Sequence, residues 1–119
     1  MTNEWKTYLY TKSSNHRQPV KNFLSDLEKK KRAKVMDYFE LIREKGLSVG
    51  REYCDHVEGS IYELRPKNIR ILFGTHKGRK IIALTGFIKK QNKIPRREIE
   101  KAKKYYQDFK NNPEITLKS

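Results

Sequence analysis

A chain of 119 residues holds one domain with one modest core. Its 28 Lys and Arg stand against 14 Asp and Glu, a formal net charge of +14, while 35% of residues are hydrophobic and 11% aromatic. That balance describes a folded, heavily charged protein. It excludes a neutral metabolic enzyme as the starting expectation and points to a polyanionic partner: RNA, DNA, a ribosome or an acidic protein.

In chain order, residues 5–11 are rich in aromatics and alternate, which predicts a strand. Pro19 suits a first helical position, and Val20, Phe23, Leu24 and Leu27 recur along one helical face. The run Lys29-Lys30-Lys31-Arg32 reads as a corner or solvated face. Val35, Tyr38, Phe39 and Ile42 repeat the helical period, and Gly46 is placed to stop it. Residues 61–65, 69–75 and 80–88 are β-branched and aromatic runs, separated by Pro66-Lys67-Asn68 and His76-Lys77-Gly78-Arg79, both of turn composition. They predict a three-stranded antiparallel meander. Pro95 opens a last helix with Ile99, Ala102, Tyr106 and Phe109 on its apolar stripe, and residues 111–119 read as a frayed tail. The expectation is an α+β domain over residues 1–110, order β-α-α-β-β-β-α, with helices on one face of a small antiparallel sheet.

Several classes find no support. No apolar run nears the ~20 residues that cross a bilayer, and the first ten residues lack the apolar stretch of a secretory signal. One cysteine, Cys54, makes no internal disulfide and no cysteine-rich zinc site; a reducing cytoplasm is the natural setting. His16, His56 and His76 are too far apart for ligand spacing, so no metal is expected.

The charge is concentrated. Residues 61–97 carry eleven Lys or Arg and one acid, Glu63, and so +10 of the total +14. Side chains alternate across a strand. If Arg65 sits opposite Arg70, then Glu63 meets Leu72, and Tyr62, Leu64, Ile71 and Phe73 share the helix-covered face. If Thr75 pairs with Lys80, then Ile82, Leu84 and Ile88 join that face. A one-residue slip in either hairpin would bury an arginine. The other face then carries Arg65, Arg70, Lys89 and Phe87, cations for phosphate and an aromatic on which a base can stack.

These pieces resemble the RelE-like superfamily of type II toxin–antitoxin toxins, in particular its HigB-like, phage-derived branch. The resemblance lies in Ile61-Tyr62-Glu63-Leu64-Arg65, Ile69-Arg70-Ile71-Leu72-Phe73, Ala83-Leu84-Thr85-Gly86-Phe87-Ile88-Lys89-Lys90 and Lys93-Ile94-Pro95 with the helix that follows. It implies an mRNA interferase that works without metal or cofactor, usually in the A site of the 70S ribosome. It also implies a cognate antitoxin, often a helix-turn-helix protein. By matching position, Arg70 falls on the family's central active-site arginine, Arg65 on the arginine ending the preceding strand, and Lys89 and Lys90 on the basic pair after the last strand. Lys93 lies in the same basic loop; Lys67, Arg96 and Phe87 complete the expected RNA contacts. Tyr105 and Tyr106 lie too far along the last helix to match the tyrosine some relatives use.

Metal-free RNA cleavage employs the substrate's 2′-hydroxyl against the adjacent phosphate. The protein must align the groups, offset the charge of the phosphorane and move two protons. Arg65 and Arg70 suit the second task, because a guanidinium grips phosphate oxygens and stays charged. Proton transfer falls to Lys89 or Lys90, if neighbouring cations lower their ordinarily high pKa. Glu63 is the conventional base or else an ion-pair partner of Arg65 or Arg70, and His56 titrates in the right range. Two other readings share the basic face: a non-catalytic nucleic-acid-binding module or inactive toxin relative, and a basic domain that pairs with an acidic protein.

Overall fold

Five strands form one mixed sheet in the computed structural model, which describes residues 4–118. The strands are β1 (Lys6–Leu9), β2 (Cys54–Glu58), β3 (Ile61–Leu64), β4 (Ile69–His76) and β5 (Lys80–Ile88). The helices are α1 (Pro19–Asp26), α2 (Lys29–Lys45), α3 (Arg96–Asn111) and α4 (Pro113–Leu117). The sheet order is β1-β5-β4-β3-β2. The α+β class is as expected, but the sheet is larger than the meander. β1 joins β5 in parallel, pairing Lys6 with Lys80 through Leu9 with Ala83. β2 adds an antiparallel edge beside β3.

Helices cover both faces, not one. Val20, Leu24 and Leu27 of the α1 region, with Val35 and Ile42 of α2, pack on Leu64, Ile69, Ile71, Phe73, Ile81 and Ala83. On the opposite face, Ala102 and Phe109 of α3 pack on Ile61, Leu72, Ile82 and Leu84. Strands buried on both sides read as continuous apolar runs, which is what Ile71-Leu72-Phe73 and Ile81-Ile82-Ala83-Leu84 are.

The β3–β4 register is as expected, with Glu63 opposite Leu72. The β4–β5 register is not. His76 pairs with Lys80 and Thr75 with Ile81, and a bulge then brings Leu72 opposite Thr85 while Phe73 faces Ala83. The pairing of His76 with Lys80 places Ile82 and Leu84 against α3, away from Ile71 and Phe73, and Leu84 is the extra residue of the bulge. Ile88, expected in the core, is 37% exposed.

Pro19 does start α1, whereas Lys29 to Arg32 form the first turn of α2, not a corner. Gly46 ends α2 at φ 62°, and a Cβ there would collide with the Trp5 indole. The expected frayed tail is instead α4, held to the start of the chain: Thr11 N–H donates to Thr116 Oγ1 at 3.0 Å, and Leu117 packs on the second core. Gly86 lets the Phe23 ring lie directly on β5. Gly86→Ala is expected to cost about 1–3 kcal/mol through overpacking, read as a lower urea midpoint with an unchanged m value.

Candidate functional site

The β3–β4 turn and the loop after β5 meet at one end of the sheet, where Lys89 N–H donates to Asn68 C=O at 2.7 Å. Between them lies an open depression of about 410 Å³, lined by Lys67, Asn68, Arg70, Lys89, Lys90, Gln91 and Asn92. Four of the expected site residues therefore converge. Asn68, Gln91 and Asn92 were not singled out from sequence, because turn composition does not distinguish a wall from a connector. No histidine, carboxylate or tyrosine is among these lining residues.

Arg70 is not the solvated cation the sequence suggested. It is 7% exposed, and Glu63 beside it is 8% exposed. Its Nε lies 3.1 Å from Glu63 Oε1, yet off the hydrogen-bonding direction, so neither atom has a hydrogen-bond partner and the contact is chiefly ionic. Nη1 donates to the carbonyls of Lys67 at 2.7 Å and Ile69 at 2.8 Å. Among the described residues, Nη2 has no acceptor. Burial draws the Arg70 pKa below its ordinary value; Glu63 opposes this and the neighbouring Arg65 adds to it. A guanidinium starts so high that it stays cationic.

The rest of the expected set is scattered. Arg65 shares the face of Arg70 but turns toward β2: its Nη1 donates to Arg51 C=O at 3.3 Å and lies 3.7 Å from Asp55 Oδ2. Phe87 sits opposite Arg70 in the β4–β5 ladder, partly buried against the α3-side core, so it acts first as packing. Lys93 is exposed on the loop before α3. Arg96 is engaged elsewhere: Nη1 and Nη2 clamp the two oxygens of Glu58 at 2.6 and 2.8 Å, and Nη2 also reaches Glu100 at 2.7 Å. His56 lies on β2 with Nε2 against Gly59 C=O at 2.7 Å, outside the depression.

The Glu58 clamp yields a pH prediction. Hydrogen bonds from Arg96 and then Lys103 hold the Glu58 carboxyl at about 2, below its ordinary 4.5. A depressed folded pKa means the contribution is complete above about pH 4.5 and lost as pH falls through 2. NMR titration of the Glu58 carboxyl should give a midpoint well under 4, and the amides at the start of α3 should lose protection over the same interval.

No cluster of three or more His, Cys, Asp or Glu side chains suited to a metal ion occurs among the described residues, and no helix among them is long and apolar enough to cross a membrane. A family model described as "Phage derived protein Gp49-like (DUF891)" matches residues 22–107. The match includes every wall of the depression and leaves out β1 and α4. No curated protein matches the chain.

Proposed function

The chain belongs to the Gp49-like phage-derived family, a RelE/HigB-like toxin family of type II toxin–antitoxin systems, and from that premise we propose that it is an mRNA interferase of the HigB-like kind. In this reading it enters the A site of the 70S ribosome in the cytoplasm, cuts messages there and is neutralised by a cognate antitoxin, a helix-turn-helix protein. The observation that carries it is the depression itself. Lys67, Lys89 and Lys90 line it together with Arg70, whose Nη2 has no acceptor among the described residues.

A phosphodiester seated there meets a fixed guanidinium nitrogen and mobile ammonium groups. These offset the charge that grows on the phosphorane as the substrate's 2′-hydroxyl attacks. The products are a 2′,3′-cyclic phosphate and a 5′-hydroxyl. Of the lysines lining the depression, Lys89 and Lys90 are the ones to which this reading gives the proton transfers. The ribosome supplies the in-line geometry that so sparse a set of side chains does not.

The test uses residues whose loss leaves the core intact. Brief induction of the wild-type chain should stop growth and create new message 5′ ends at codon boundaries, mapped by primer extension. The Lys89→Ala/Lys90→Ala double variant should relieve both. Intact messages during strong wild-type expression would refute the reading. The lining without a carboxylate, histidine or tyrosine favours a second one, a non-catalytic RNA-binding module. It predicts salt-dependent RNA binding without new ends. In either case, removing both lysines should flatten the plot of log K against log salt by roughly 1.4 for a single strand, at about 0.7 per phosphate contact.

A further inference from the structure

Most protein-held guanidiniums on a basic surface are solvated and free to turn. Arg70 is not. Nη1 has both its hydrogens committed to the Lys67 and Ile69 carbonyls, and Nε faces Glu63 at 3.1 Å. Only the Nη2 edge is left for the depression. The device is costly in a particular way: Glu63 Oε1 and Arg70 Nε are both buried, and neither completes a hydrogen bond. Buried polar atoms in native folds are nearly always satisfied, so an exception asks for a reason. Replacing such a pair by apolar side chains is often neutral or stabilising, so stability alone does not explain its presence.

We infer that Glu63 is a positioning residue: its carboxylate fixes the guanidinium of Arg70 so that Nη2 alone is presented to the RNA phosphate. The inference rests on the reading of the depression as a phosphodiester site and adds to it a second residue, outside the depression, on which the geometry depends. Glu63 is not the general base. Its carboxylate is buried against Arg70 and is absent from the lining of the depression. A base must reach the proton it takes. A carboxylate that orients a cation acts only through that cation, and so its removal can matter only while the cation is there to be oriented.

The experiment is a cycle of Glu63→Gln and Arg70→Lys, assayed on ribosomes programmed with a message that the wild-type chain cuts, at a temperature where circular dichroism shows each variant folded. Lysine keeps the charge but has one nitrogen, which cannot face Glu63 and the phosphate together. Glu63→Gln should lower the maximal cleavage rate about 10–100-fold with KM nearly unchanged, the loss expected of a misplaced group. In the Arg70→Lys background it should cost nothing further. Wild-type rates in folded Glu63→Gln, or losses that multiply in the double variant as they would for an independent base, would overturn the inference.

A second measurement needs no variant. In ¹⁵N spectra of the full chain, the Arg70 Nε–H should exchange slowly with water, and inorganic phosphate should shift the Nη signals while leaving Nε in place. An Nε–H that exchanges as fast as that of exposed Arg97, or moves with phosphate, would also overturn it. If the wild-type chain cuts no message at all, the nuclease reading fails while these spectra still decide whether Glu63 fixes Arg70.

Discussion

Arg70→Ala is expected to destabilise the domain by about 3–5 kcal/mol, because it strands the Glu63 carboxylate in a site only 8% exposed. For a domain of this size that is a fall of roughly 10–20 °C in Tm. The same deletion empties the volume of a long side chain next to Leu72 and Phe87, which adds to the loss. Loss of toxicity in Arg70→Ala is therefore two effects at once, a missing phosphate contact and a smaller folded fraction. The paired variant Glu63→Leu/Arg70→Met separates them. It removes both charges, should recover most of the lost Tm, and should remain non-toxic. Scanning calorimetry on the three proteins checks this. An Arg70→Ala protein that melts within about 3 °C of wild type would show that the pair carries little burial cost.

Asp108→Ala should cost about 2–4 kcal/mol. Asp108 on α3 accepts from the Tyr10 hydroxyl at 2.5 Å, from Ser13 N–H at 3.0 Å and from Ser13 Oγ at 2.5 Å. Hydrogen bonds to a charged group contribute roughly 1.5–3 kcal/mol each, though not additively. Tyr10 is 2% exposed, so its hydroxyl would be left buried without a partner. Burial acts to raise the Asp108 pKa, but the bonds from Ser13, Tyr10 and Asn112 outweigh it and hold the carboxyl below its ordinary 3.8. The contribution is thus complete above about pH 4 and lost as pH falls through the lowered value. Urea unfolding at pH 7 and pH 3 should show a smaller gap between wild type and Asp108→Ala at the lower pH.

The parts of this fold legible in sequence are those where one pattern dominates. Pro19, the i, i+3, i+4 spacing of Val20, Phe23 and Leu24, and the turn at Pro66-Lys67-Asn68 each specify local geometry, and the β3–β4 register follows from them. β2 was missed because Cys54-Asp55-His56-Val57-Glu58 is a polar edge with a bulge between His56 and Glu58, so it carries no clean alternation. That omission propagated into the site. Asp55 and Glu58 are the acids that engage Arg65 and Arg96, and both sit on the missed strand. Counting charge along residues 61–97 could not reveal partners that arrive from outside the stretch. The one-residue difference at the β4–β5 turn, where His76 and not Thr75 pairs with Lys80, carries no signal in the turn composition, and it assigns Ile82 and Leu84 to the opposite face. Of the expected site residues, Lys67, Arg70, Lys89 and Lys90 come together in the fold, because both turns that hold them lie at the same end of two adjacent strands.

The pairing of β1 with β5 has a temporal meaning. The chain's early strand finds its sheet partner more than seventy positions later, and Tyr10 and Thr11 are secured by Asp108 and Thr116, 98 and 105 positions away. Contacts of such separation form slowly and last. A nascent segment that stops short of residue 80 therefore lacks the partner of β1 and cannot complete the five-stranded sheet.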